Sequence, residues 1–134
     1  MMKLIPYLHF NGNCEAAINT YAEILGGTGT VTSRFGDTDT FPVTDEYKNR
    51  VMHGNVTFGN NVIFMSDCGP GRSVIHGDGT AMSLGLSDEA RTKEIFDKLA
   101  EGGTVVMPLA KQFWGAIFGQ LVDKYGIRWM LNCQ

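Results

Sequence analysis

The sequence has little cysteine, no long apolar run and no basic stretch, and each shortage excludes a class of protein. The three cysteines, Cys14, Cys68 and Cys133, are an odd, widely spaced set with no C-x-x-C pair. That fits neither a disulfide framework nor a zinc site. They are expected as buried free thiols, and none has a neighbouring base in sequence to make it a nucleophile. No apolar stretch approaches the roughly 20 residues needed to span a bilayer. Met1 to Phe10 is short, contains Pro6 and does not resemble a signal peptide. With 11 basic and 14 acidic side chains the formal net charge is −3, and without a basic patch nucleic acid is not the expected partner. These exclusions point to a cytoplasmic protein with neither a membrane nor a nucleic-acid partner.

What is present is a globular composition. In 134 residues, 43% are hydrophobic and 19% charged, enough for a real core and too apolar for disorder. Lys3 to Phe10 alternates as a strand, with Pro6 suggesting an edge or strand-start position. Asn13 can cap a helix from about Cys14 to Leu25, whose stripe is Ala17, Ile18, Tyr21, Ile24 and Leu25, and Gly26-Gly27 ends it. Thr28 to Phe35 reads as a strand and Gly36 to Lys48 as a long polar loop or flap. Arg50 to Phe58 and Val62 to Asp67 form a hairpin about Gly59-Asn60-Asn61. Cys68 to Gly79, rich in glycine, is a linker or second flap.

The second half repeats the plan. Thr80 to Leu86 is a strand, Ser87-Asp88 caps a helix from about Glu89 to Ala100, and Thr104 to Leu109, Gly115 to Val122 and Ile127 to Asn132 are strands. The last two are joined by the turn Asp123-Lys124-Tyr125-Gly126. A shift of about 75 positions lays Tyr21 on Phe96, Ile24 on Leu99, Gly27 on Gly102 and Val31 on Val106. The reading is one α+β domain over residues 1–134, built of tandem βαβββ modules, the first about 3–67 and the second about 80–134. Each would carry one helix outside a curved mixed sheet, leaving a concave cavity for a ligand.

The segments Ile5-Pro6-Tyr7-Leu8-His9-Phe10-Asn11-Gly12-Asn13-Cys14, His53-Gly54-Asn55-Val56, Met65-Ser66-Asp67, Phe113-Trp114 and Asp123 to Asn132 together resemble the vicinal oxygen chelate superfamily. That group includes glyoxalase I, extradiol dioxygenases and the fosfomycin- and bleomycin-resistance proteins; the PhnB-like branch is the nearest in look. The resemblance implies the tandem βαβββ fold and a homodimer. In the metal-dependent relatives it also implies a divalent ion held by His, Glu or Gln from the first and last strands of each half.

Strand alternation tests that implication, because a one-residue slip exchanges the faces. Placing the uniformly apolar set toward the helix turns Ile5, Tyr7 and His9, then Val62, Phe64 and Ser66, away from it. In the second half Ala81, Ser83 and Gly85, with Arg128, Met130 and Asn132, do the same. The four metal positions then fall on Ile5, Phe64, Ala81 and Met130, none a ligand for a hard cation. No metal and no cofactor is therefore expected, and the Lewis acid and Glu of glyoxalase-type isomerisation are missing.

The expected function is binding of a small molecule of unknown identity. Its ligand-contacting residues would be Tyr7, His9, His53, Asn55, Phe64, Ser66, Ser83, Trp114, Arg128 and Met130. His53 is the candidate acid/base group, since its pKa ordinarily lies near neutrality; the other reading of His9 and His53 is a hydrogen-bonded polar lining. Arg128 either faces inward, where it could hold a carboxylate or phosphonate bidentately, or outward on an edge strand. Trp129 belongs to the core, whereas Trp114 would line the cavity mouth or a dimer contact. Asp67 and Asp123 are expected to cap turns. The alternative function is a metal-dependent lyase, isomerase or dioxygenase with a displaced site near His9 and His53. A methyltransferase is not expected, for want of a glycine-rich nucleotide turn or doubly wound alternation.

Overall fold

A computed structural model describes residues 1–39 and 42–134. The part of the expected polar loop at Thr40 and Phe41 lies outside the described residues. The chain divides into two compact units, Met1–Ile75 and His76–Gln134. Among the described residues no helix is long and apolar enough to cross a membrane.

In the first unit the order is β1 (Tyr7–Phe10), α1 (Cys14–Leu25), β2 (Thr28–Arg34), a 3-10 turn at Phe35–Asp37, β3 (Val51–Phe58) and β4 (Asn61–Asp67). The second unit repeats it as β5 (Met82–Leu86), α2 (Glu89–Ala100), β6 (Thr104–Lys111), β7 (Ile117–Val122) and β8 (Arg128–Cys133). The two sheets have matching orders, β1-β4-β3-β2 and β5-β8-β7-β6. In each the first strand is parallel to the last, and the other pairs are antiparallel. A parallel pair needs a crossover, and in each unit the helix together with two intervening strands supplies it.

The helices pack as their stripes dictate. Ala17, Ile18, Tyr21, Ile24 and Leu25 of α1 are all buried, as are Thr92, Ile95, Phe96 and Leu99 of α2. Each large apolar side chain so buried contributes roughly 1.5–3 kcal/mol relative to exposure. The matching sheet residues are Phe10, Val51, Val56, Ile63 and Met65 in one unit and Leu121, Trp129 and Leu131 in the other. One face of each sheet is thereby committed to its helix. The other face belongs to the alternate residues.

Several boundaries move from expectation, each for a local reason. The first strand begins at Tyr7, not Lys3. Pro6 has no N–H for the ladder, although its carbonyl still accepts from Phe64 N at 2.9 Å, and Leu4 is left fully exposed. Likewise β5 begins at Met82, so Ile5 and Ala81 lie just outside the strands. The 3-10 turn takes Phe35 out of β2 and buries it. On the edge strand β6, Pro108 falls within a register shift between Met107 and Ala110, and the strand runs on to Lys111.

Asn13 stands at the α1 N-cap without a side-chain capping bond. Asp67, from the end of β4, takes that work instead: Oδ1 accepts from Gly12 N at 2.8 Å and Cys14 N at 3.1 Å, and Oδ2 from Val51 N at 2.9 Å. Asp88 does cap α2, accepting from Arg91 N at 3.0 Å.

The repeat is also sharper than an offset of 75. The helices keep it, but Glu101 adds a residue after α2. The left-handed glycines that follow are therefore Gly26 (φ 68°) and Gly102 (φ 73°). After them Gly27 and Gly103 are equivalent, not Gly27 and Gly102. A Cβ on Gly27 would run into the carbonyl oxygen of Thr57, and one on Gly103 into that of Val122. Past the helices, Val31 accordingly matches Met107 instead of Val106.

Candidate ligand-binding faces

On the open face of the first sheet, Tyr7 pairs with Phe64, Phe64 with Asn55, and His9 with Ser66. These residues share a face because alternation turns Leu8, Phe10, Ile63 and Met65 to the other side. The rings form a connected group. Tyr7 stacks on His9 with centroids 4.8 Å apart and 20° between planes, and Phe64 meets Tyr7 and His53 edge-on at 5.9 and 5.0 Å. The hydroxyl of Tyr7 reaches Nδ1 of His53 at 3.0 Å. With the tyrosine donating, the neutral imidazole keeps its proton on Nε2, and that nitrogen remains available to a ligand. Tyr7 and His9 are exposed, His53, Asn55 and Phe64 half-buried and Ser66 buried.

The open face of the second sheet carries the other sequence-predicted residues. Ser83 pairs with Met130 across β5 and β8, and Arg128 pairs with Val122 across β7 and β8. Because β8 lies inside the sheet, Arg128 is not on an edge strand. Its Nε is buried and finds no hydrogen-bond partner among the described residues. Two residues on this face escaped the sequence reading: Gln120 opposite Met130, and Phe118 opposite Asn132. The alternation of Gly115 to Val122 could have placed both. Trp114, half exposed, lies with its ring centroid 6.0 Å from that of Phe118 and 4.9 Å from that of Phe113.

Trp129 is in the core, its Nε1 donating to Asp123 Oδ2 at 2.8 Å. Asp123 also organises the β7–β8 turn, its Oδ1 accepting from Tyr125 N at 2.8 Å and Ile127 N at 3.0 Å. His76, in the glycine-rich segment, is exposed and lies close to Gly126. All three cysteines are buried and free. Burial, then the charges of Asp67 and Glu15, push the Cys14 thiol far above its ordinary range.

The divalent ion of the metal-dependent relatives does not fit this donor set. At the four positions that the resemblance assigns to the metal, the side chains of Ile5, Phe64 and Ala81 offer no donor atom, and the thioether of Met130 suits soft metals only. Among the described residues no three of His, Cys, Asp and Glu come together as a metal would require.

The paired βαβββ units define an α+β protein of the vicinal oxygen chelate fold. Solved structures bear this out at low identity: a glyoxalase/bleomycin resistance protein from Albidiferax ferrireducens (TM-score 0.64, 13% identity, 98% and 99% of the two chains) and the fosfomycin resistance protein FosX from Mesorhizobium loti (0.63, 8%, 100% and 93%). Residues 2–132 match the family described as 3-demethylubiquinone-9 3-methyltransferase, and the chain belongs to this PhnB-like family.

Among its relatives, Protein YjdN of Escherichia coli K12 is 31% identical over 98% of this chain and 95% of its own. Protein PA1353 from Pseudomonas aeruginosa is 37% identical with a TM-score of 0.89, covering 100% and 98%. A PhnB protein from Bacillus cereus, described as a putative 3-demethylubiquinone-9 3-methyltransferase, is 24% identical with a TM-score of 0.79, covering 99% and 100%. The methyltransferase wording describes the family and that relative. The two mixed sheets of this chain are not the doubly wound parallel sheet that commonly cradles a nucleotide cofactor.

Proposed function

We propose that this chain is a small-molecule-binding protein that holds its ligand on an open sheet face without the superfamily's divalent ion. The observation that carries the reading is the hydrogen bond between the hydroxyl of Tyr7 and Nδ1 of His53 on a solvent-facing sheet. An oriented imidazole among aromatic rings suits a ligand with a flat body and one polar edge. His53 is the acid/base candidate, with Tyr7 as its positioning residue, so sequestration and metal-free proton transfer are both within its chemistry. A homodimer belongs to the same proposal. In its favour, Val105 and Val106 on the edge strand β6 and Phe113 beyond it are exposed apolar residues.

The test is a thermal-shift screen of metabolites and antibiotics, with chelator and with added divalent ions. A ligand that raises the melting temperature in chelator, and loses that effect in His53→Ala and Tyr7→Phe, supports the reading, because only a native-state binder stabilises by mass action. Near-stoichiometric zinc, nickel, manganese or iron in the purified protein, lost in His53→Ala, would overturn it.

A further inference from the structure

We infer that the open face of the second sheet is a carboxylate site. Arg128 holds the carboxylate side-on, and Met130, Gln120, Phe118 and Trp114 carry a flat apolar body attached to it. This deepens the small-molecule reading and rests on it.

The starting observation is chemical. Among the described residues, the buried side-chain nitrogen or oxygen that finds no hydrogen-bond partner is Nε of Arg128. Buried polar groups are nearly always satisfied, and a guanidinium N–H is among the costliest to leave unpaired. Three of the four other arginines have partners: Arg34 forks onto Glu15 with both contacts at 2.9 Å, Arg91 pairs with Glu94 at 2.9 Å, and Arg50 lies over the ring of Tyr47, while Arg72 is exposed to water. No such acceptor meets Nε of Arg128 among the described residues. Nε has almost no accessible surface with the side chain as it lies, so its complement is an acceptor brought from outside that the guanidinium meets by turning its Nε–H edge to the open face.

The surroundings decide which acceptor. Arg128 sits on an interior strand whose alternate residues, Trp129 and Leu131, are buried against α2, so its backbone is fixed. Nε–H and one terminal N–H of a guanidinium are parallel and spaced for the two oxygens of a planar carboxylate. The neighbours along the face, Met130, Gln120, Phe118 and Asn132, are neutral, so a single negative charge is matched. A dianion would need a second cation. From the Arg128 and Val122 pair to the Phe118 and Asn132 pair is four residues, roughly 13 Å of strand. At that far end Trp114 lies against Phe118. A cation at one end, a thioether and an amide between, and two aromatic rings at the other describe an aromatic acid of about two fused rings.

The probe is 2-naphthylacetate, with the neutral 2-naphthylacetamide as its isostere, titrated calorimetrically and by methyl NMR of methionine-labelled full-length protein. Met130→Leu identifies the reporting signal. The acid is expected to bind roughly ten- to hundred-fold more tightly than the amide, as a bidentate charge-assisted pair would give, and to shift the Met130 methyl. Arg128→Gln should bring the acid down to the amide's affinity. Arg128→Lys should lose most of the preference, because lysine keeps the charge without the fork.

Since the guanidinium has no structural partner for Nε, Arg128→Gln should melt no lower than wild type. Equal affinities for acid and amide, a preference surviving Arg128→Gln, an unmoved Met130 signal, absence of saturable binding, or a marked loss of stability in Arg128→Gln would each overturn the proposal. Ligands that depend on Tyr7 and His53 but bind Arg128→Gln unchanged would overturn this site while leaving the small-molecule reading in place.

Discussion

The hydroxyl of Tyr7 and Nδ1 of His53 lie 3.0 Å apart across 46 positions of sequence, joining the edge strand β1 to the interior strand β3 over the intervening β4. With the phenol donating, the contact favours the Nε2–H tautomer of a histidine that would otherwise exchange between two. Nitrogen-15 NMR of the imidazole should show His53 as the Nε2–H tautomer when neutral, and Tyr7→Phe should give a mixture. Stability should fall by about 0.5–1.5 kcal/mol or less, since the bond is exposed. A single tautomer persisting in Tyr7→Phe would mean that another group orients the ring.

Strand alternation was enough to place Tyr7, His9, Phe64, Ser66, Ser83, Arg128 and Met130 on the open faces, because a buried helix-facing side fixes the register of every strand that packs on it. The Tyr7 to His53 bond was not legible. It depends on which strands are neighbours and on how far a phenol reaches across them. Nor was the role of Asp67, whose partners Gly12 and Cys14 lie more than 50 positions away. Local spacing points to Asn13 as the cap, and tertiary placement of a better acceptor overrides it. Gln120 and Phe118 were legible in principle, since the same alternation runs through β7.

Asp67 is buried and accepts three backbone N–H groups, from Gly12, Cys14 and Val51. Removing the carboxylate leaves three donors without that acceptor, two of them, Cys14 N and Val51 N, where water has little access. Asp67→Ala should therefore cost about 3–5 kcal/mol, a large share of the roughly 5–15 kcal/mol that stabilises a domain. Asp67→Asn should cost less, because one oxygen remains while the new NH2 faces a donor. Urea unfolding of the two variants against wild type gives the comparison. A loss under about 1 kcal/mol in Asp67→Ala would show that water replaces the carboxylate.

Cys14 gives the fold a pH dependence on the alkaline side. Burial first, then the charges of Asp67 and Glu15, raise its thiol pKa well above that of an unfolded cysteine. A group with a raised folded pKa contributes its full stability below the unfolded value, about 8.5. Above that the unfolded chain loses a proton that the native state keeps. Stability should therefore decline from about pH 9 upward, with this one thiol supplying up to about 1.4 kcal/mol per pH unit. Unfolding free energies between pH 8 and 10 should fall more steeply for wild type than for Cys14→Ala, and parallel curves would remove the assignment.

Gly27 and Gly103 test the internal duplication at the level of single atoms. Each follows a left-handed glycine at the end of a helix, and in each a Cβ would strike a carbonyl oxygen, of Thr57 or of Val122. Backbone cannot yield as a flexible side chain can, so Gly27→Ala and Gly103→Ala should each cost about 3 kcal/mol or more. Gly69→Ala is the control, since a Cβ there meets nothing within 4 Å; its effect should stay within about 0.5 kcal/mol. Chemical denaturation of the three variants decides the matter. If Gly102→Ala and Gly103→Ala both destabilise, the two losses have different origins: Gly102 requires a positive φ of 73°, whereas Gly103 lacks room. Asparagine, which tolerates the left-handed region, should partly rescue position 102 and make position 103 worse. An equal response of both positions to asparagine would undo the pairing of Gly26 with Gly102 and Gly27 with Gly103.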